Sequence, residues 1–456
     1  MSALILVASV LGLAFGVIYT LFRPQWAILF VLILYPLEQL LTTASPFFAT
    51  NTKFLNLLVG GLAVLGAGSA LFAGRRPFRG YFNGVWFATI ALFLWAMIGI
   101  AFAPDTTPGT EALIKGLPYL GLLLIFPGLL LNDLIGFRRL VVPVMFIGTI
   151  IILLILASPK TTMFGGRLGI ENTTGGRDSA EILNPLATAS LGGTIVIFGM
   201  LYKPERMVLF VNLIRAAAIT VGLTIALLSG SRGQLIGAIF CGVVMFPFAR
   251  QIKNTVQFLT VSGSVGVVIV FVMLVLTFAT TRDAATRFSS EALTEGAGVR
   301  GQLITTMLGH WLGNPVAIVQ GLGTSAFQYY WQLDDTPYVH NMPVQVITEQ
   351  GLIGLFLLSV ILYLTARAGI QLLRMYKDYP TELSAAAILV GFCLYQFLIS
   401  LKQGNYFTIA APFWSFLLLA KVHARAIKDA REYEALEEYA ESYDHPADDA
   451  VYAQPA

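Results

Sequence analysis

The chain has 456 residues, 57% hydrophobic and only 12% charged, with two cysteines and a formal net charge of +3; its mean hydropathy is +0.77. These values exclude a soluble globular protein. Apolar runs of about 18 to 24 residues fit α-helices crossing about 30 Å of hydrocarbon, whereas barrel strands would be half as long. Cys241 and Cys393 both fall in apolar runs, which argues against a disulfide framework or a thiolate metal site. Acids crowd into residues 432–456, which hold no Lys or Arg, so the rest of the chain is basic. That excess serves membrane topology and an anionic ligand better than it serves nucleic acid.

Residues 2–22 are apolar, with no basic stretch before them and no small-residue cleavage site after them, and read as a first membrane helix ended by Arg23-Pro24. Runs at 25–43 and 54–73 lead to Arg75, Arg76 and Arg79, a basic cluster that the positive-inside rule places in the cytoplasm. From that anchor, 84–103 crosses outward to Asp105 and Glu111, and 113–131 returns to Arg138-Arg139. The next run, 140–157, leads out to a polar loop with Arg167, Glu171 and Arg177. Runs at 183–202 and 207–229 form a hairpin around Lys203, Glu205 and Arg206, and 234–249 returns to Arg250 and Lys253. The run at 256–279 then crosses out into a long polar stretch, 280–342. The chain comes back through 343–366 to Arg367, Arg374 and Lys377 and makes a last hairpin, 383–401 and 406–420. A helix is expected over 421–440 and disorder over 441–456.

The expected fold is all-α: a polytopic transmembrane helical bundle of about 12–13 helices with one large helical extracytoplasmic loop, the amino terminus outside and the carboxyl terminus in the cytoplasm. It divides into N-terminal transmembrane helices (1–203), a core (204–366) that includes the loop 280–342, a C-terminal hairpin (367–420) and a cytoplasmic tail (421–456).

Candidate chemistry gathers at the outer helix ends. Arg232 stands between Gly230 and Gly233 where one apolar run ends and the next begins. Two readings stand: an arginine reaching for lipid headgroups, or a phosphate ligand at a helix start. Arg300 lies three, four and seven residues before members of the stripe Leu303, Ile304, Met307, Leu308, Trp311 and Leu312, and so is expected to point to a buried face. There it needs a carboxylate such as Glu349, or an oxyanion ligand. His340-Asn341 lies at the mouth of a helix opened by Pro343, with Gln345 and Glu349 stacked one turn apart just inside. His310 borders the Arg300 helix, and His423 and His445 fall in the tail. Phe327, Tyr329, Tyr330 and Trp331 form either an interfacial belt or a platform for sugar rings. Asp334-Asp335 lacks further ligands at metal-binding spacing, and no Walker loop, dinucleotide fingerprint or paired Cys and His metal motif is present.

Ser231-Arg232-Gly233, Arg300 before a helix with Trp311, Gly321-Leu322-Gly323 leading to Phe327, and His340-Asn341 followed by Glu349-Gln350-Gly351-Leu352-Ile353-Gly354 together resemble the O-antigen ligase and polymerase family of bacterial envelopes over about residues 205–365. Met342-Pro343 departs from the small or polar residue and aromatic that usually follow. The resemblance implies metal-independent, inverting transfer of an undecaprenyl-diphosphate-linked glycan to an acceptor hydroxyl, on the outer face of the inner membrane and without a cofactor. Under it, Arg232 and Arg300 stabilise the leaving diphosphate and His340 is the general base. Asn341, Glu349, Gln345, Arg287, Tyr330 and Trp331 are then expected to bind substrate. The acceptor is another lipid-linked repeat, as in a polymerase, which is slightly favoured, or a lipid A core, as in a ligase. Membrane lipids and other polysaccharide-assembly proteins are the further partners. The alternative of another class, a transporter of a small anion such as bicarbonate, calls for charged groups on broken helices at mid-bilayer.

Overall fold

The computed structural model describes residues 2–74, 76–121, 125–164, 167–170, 185–252, 290–331, 339–402 and 411–444, with isolated positions between 254 and 270. It opens with α1 (Ser2–Phe22), α2 (Trp26–Ala44), α3 (Pro46–Thr50), α4 (Thr52–Phe72), α5 (Gly84–Ile100), α6 (Thr107–Leu120), α7 (Phe126–Leu130) and α8 (Leu134–Leu156). After a small antiparallel hairpin, β1 (Thr161–Phe164) with β2 (Arg167–Ile170), come α9 (Pro185–Leu201), α10 (Val208–Leu228) and α11 (Arg232–Arg250). Then follow α12 (Ser290–Leu312), α13 (Pro315–Gln320), α14 (Ala326–Tyr330), α15 (Met342–Met375), α16 (Pro380–Ser400) and α17 (Ala411–Asp444).

Among the described residues seven helices, α2, α4, α8, α10, α11, α15 and α16, are long and apolar enough to cross a membrane, and Leu11–Phe22, Gly84–Ile100 and Leu186–Leu201 are shorter apolar helices. The fold is the all-α polytopic bundle that the apolar periodicity calls for. The run expected at 113–131 is carried by two helices, α6 and α7, separated by a stretch that includes the undescribed residues 122–124. Most of the run expected at 256–279 lies outside the described residues. The tail helix forms as a continuation of the last membrane run, all within α17.

At the centre stands α9, apolar on every side and buried at every residue from Leu191 to Leu201. It packs on α8, α10, α11 and α16. A Cβ on Gly222 would come within 2.5 Å of the Gly192 carbonyl oxygen, so small residues bring the α9 and α10 backbones into direct contact. Close packing of that kind is what associates helices when lipid supplies no hydrophobic driving force. The outer faces expose large apolar side chains, among them Leu57, Phe72, Leu213 and Phe356, as a bundle solvated by hydrocarbon requires.

The basic clusters share one end. Arg79 pairs with Asp429 (3.0 Å) and with Glu432, and Arg138 pairs with Glu205 and with Glu382 (3.5 Å). Arg250 donates to the Tyr202 carbonyl (3.3 Å), and Gln251 to that of Lys377 (2.6 Å). These bonds tie the turn at Arg79 to the tail helix, and the turns around residues 138, 205, 250 and 377 to their neighbours. At the opposite end a second, smaller core forms from Leu303, Met307 and Trp311 of α12 with Leu322, Phe327 and Val339, and seats α12–α14 on the first turns of α15.

Candidate active site

The first turns of α15 organise the site. Asn341 caps the helix through Oδ1, which accepts from the Val344 amide at 3.1 Å, and its Nδ2 donates to the Leu401 carbonyl at 3.1 Å. His340 precedes the cap with φ at +59°, in the left-handed region that turns the chain into the helix. The Asn341 bond fixes this corner against the end of α16.

Beyond α16, Lys402 reaches the start of α11. A Cβ on Gly233 would lie 2.1 Å from Lys402 Cδ and 2.2 Å from its Nζ, so the lysine side chain occupies the space that the glycine leaves open. Gly233 is thereby explained by close approach. Arg232, first residue of α11, is partly buried beside it, after the N-cap Ser231, whose hydroxyl donates to Gln234 Oε1. Two cationic residues therefore stand at the positive end of a helix dipole, a setting that favours an anion. Lys402 is absent from the sequence reading. Its signal is the one that marks Arg232: a cation at the helix end opposite the basic clusters.

Arg300 stands on α12, and its charge, together with burial as the larger cause, holds the His340 imidazole below its ordinary pKa of 6.5. The expected orientation of Arg300 needs correction. Leu303, Met307 and Trp311 are buried, but Arg300 is exposed, because the stripe meets its partners only from Leu303 onward. Leu312 is likewise exposed.

Glu349 and Gln345, expected to bind substrate, are both buried, at 1% and 0% exposure. Glu349 Oε2 accepts from the Ser325 amide at 3.1 Å, and Oε1 accepts from Gln345 Nε2 at 3.1 Å. The carboxylate thus holds the turn between α13 and α14, and among the described residues it forms no ion pair with Arg300. That turn runs along a break in α15: Leu322 and Gly323 amides donate to the Thr348 and Glu349 carbonyls at 2.9 and 3.0 Å. Gln350 Nε2 donates to Thr324 Oγ1 at 2.8 Å, and Trp95 Nε1 of α5 to the Gln350 carbonyl at 3.0 Å.

The break falls at Gly351, where φ is +64° and ψ −161°, a region open essentially to glycine alone. A Cβ there would sit 2.3 Å from the Val319 carbonyl oxygen. Residues 352–375 alone extend about 36 Å as helix, enough to cross the hydrocarbon without the turns before the break. Gly351→Ala is expected to destabilise the protein by about 3 kcal/mol or more through strain and clash together. Gly309 faces open space within α12, and Gly309→Ala should be neutral or slightly stabilising. Thermal unfolding of both purified variants in detergent makes the comparison; equal melting would remove the structural role given to Gly351.

Among the aromatics, Phe327 is fully buried and stacks on Trp331 (centroids 6.1 Å apart), while Tyr330 stacks on His310 (4.3 Å) and Tyr329 is exposed. Phe327 is core, and Tyr329, Tyr330 and Trp331 form the rim. Arg287, Asp334 and Asp335 lie outside the described residues.

The fold and site define a polytopic membrane protein with cationic residues and a histidine at one end of its bundle. Residues 216–359 match the model of a family described as O-antigen ligase, a span that holds Arg232, Arg300, His340 and Glu349 and stops short of Lys402. No curated protein matches the chain significantly. The match supports the O-antigen ligase/polymerase family and, with it, a membrane glycosyltransferase-type activity in polysaccharide assembly.

Proposed function

We propose that the protein moves a glycan from an undecaprenyl diphosphate carrier to an acceptor hydroxyl on the outer face of the bacterial inner membrane. The supporting observation is the approach of Lys402 to the helix start that Arg232 opens, joined through the Asn341–Leu401 bond to His340, whose imidazole feels the Arg300 charge. The acceptor oxygen attacks the anomeric carbon as the bond from that carbon to the diphosphate oxygen breaks, and the electron pair leaves with the carrier diphosphate. Neutral His340 takes the acceptor proton. Attack opposite the diphosphate inverts the anomeric centre, and the Arg232, Lys402 and Arg300 charges stabilise the leaving group, in a transfer that asks for no metal ion.

Asn341 holds His340 in place, while Glu349 and Gln345 act one step back by fixing the turn at Ser325. Tyr330, Trp331 and the loop that carries Arg287 bind glycan. Within the family a repeat-unit polymerase is the favoured reading and a ligase to lipid A core the next. Anion transport is less favoured, since the helix past the break is by itself long enough for the hydrocarbon, which favours a break at the surface over one at mid-bilayer. Deleting the gene and profiling carrier-linked and surface glycans tests the proposal. A polymerase deletion is expected to leave single repeats without long chains; a ligase deletion should accumulate long chains on the carrier. Normal profiles in both pools would refute a role in glycan transfer.

A further inference from the structure

At the end of the bundle away from His340, a cavity of about 240 Å³ is lined by Arg23, Gln25, Asn132, Asp133, Arg139 and Arg425. Its position follows from the chain: α17 begins beyond Lys402, and about 21 Å of helix then separates Ala411 from Arg425. Three guanidinium groups face one carboxylate, and that carboxylate is engaged, since Asp133 Oδ1 accepts from the Gly136 amide at 2.6 Å as the cap of α8. The neighbouring acid Asp429 pairs with Arg79 at 3.0 Å and Arg425 at 3.4 Å. Lys421 lies buried nearby, its Nζ donating to the Gly128 carbonyl. Asn132 Oδ1 is buried and has no hydrogen-bond partner among the described residues.

A second hollow, an apolar groove of about 540 Å³, lies along α1, α2 and α8, with Phe210 and Ile214 of α10 also lining it. The two lie on one face of α8. On α8, Gly136 and Arg139 line the cavity, and Pro143, Ile147, Ile150 and Leu154 line the groove at steps of three and four residues. On the α2 side, Gln25 belongs to the cavity and Trp26 begins the groove. From Arg139 to Leu154 the shared face extends about 22 Å, the length of an acyl chain.

We infer that this combined hollow binds one anionic phospholipid, with its phosphate among Arg23, Arg139 and Arg425 and one acyl chain in the groove. Arginine forks match phosphate oxygens, and basic pockets between transmembrane helices are suited to phospholipid headgroups. Asn132 Oδ1 accepts from a headgroup hydroxyl, which selects a glycerol headgroup over choline. Choline offers no donor and carries a positive charge into a basic cavity.

The test is native mass spectrometry of the delipidated full chain, titrated with dioleoylphosphatidylglycerol, dioleoylphosphatidylcholine or inorganic phosphate. One phosphatidylglycerol is expected to be retained in preference to the other two probes. The double variant Arg23→Gln/Arg139→Gln should weaken its binding about 30-fold, and Arg374→Gln, at the same end but outside the cavity, should not. Ile150→Trp, which fills the groove, should lose the dioleoyl lipid and keep dihexanoylphosphatidylglycerol. Equal retention of the two dioleoyl lipids, inorganic phosphate binding as tightly as the lipid, or an unchanged double variant each overturns the site. If the double variant does not fold, the wild-type comparison and Ile150→Trp still decide.

Discussion

Replacing His340 with alanine is expected to lower glycan transfer by about 10²- to 10⁴-fold, the usual worth of a positioned general base. Burial and the Arg300 charge both disfavour imidazolium, so the His340 pKa lies below 6.5 and the ring is neutral at physiological pH. A neutral ring accepts a proton. The wild-type rate should accordingly be flat near neutrality and fall only as the pH drops through that lowered pKa. Arg300→Gln removes one of the two causes and leaves the burial, so its acid limb should shift to higher pH by part of the depression. Single-turnover rates against pH, measured on reconstituted protein with a lipid-linked donor, read both effects. An Arg300→Gln profile with an unmoved limb would separate Arg300 from His340. Near-normal transfer by His340→Ala would assign the base elsewhere.

What sequence reveals here follows from what the solvent imposes. A bilayer demands apolar runs of fixed length with basic turns on one side, so the helix runs and the shared end of Arg79, Arg138, Arg250 and Lys377 are written in composition. Arg232 stands out because it breaks that rule. Lys402 breaks it too, but its meaning lies in a contact with Gly233 that is 169 positions away in the chain. Helical periodicity predicts the buried stripe of α12 and does not say where the stripe stops finding partners, which is why Arg300 is exposed. Nor does it reveal the break at Gly351. From the sequence, Glu349 one turn below Gln345 reads as a second contact to substrate near His340. Folding the Gly321–Ser325 turn onto the break converts it into a buried brace. The family resemblance is carried by residues whose local roles, as caps, close approaches and left-handed turns, are legible only once the segments meet.

Arg232→Ala is expected to lower the rate of transfer by about 10²- to 10³-fold, comparable with the loss of one preorganised donor at a developing oxyanion. The reason lies in timing. In the ground state the carrier diphosphate is already charged, and any cation nearby helps it dock. As the anomeric bond breaks, further charge accumulates on the bridging oxygen, and a guanidinium fixed at the first residue of α11 meets that charge without reorganising. The loss should therefore appear in kcat, while a mere docking cation would raise KM and leave kcat intact. Lys402 lies over the same helix start, so the two cations act on one anion and their losses should not add. Lys402→Ala alone should cost less than Arg232→Ala, because a flexible ammonium gives up more order for each bond it makes. The double variant should be only slightly worse than Arg232→Ala. Full additivity of the two substitutions would mean that they serve separate groups, and a change confined to KM would reduce Arg232 to a tether for the donor.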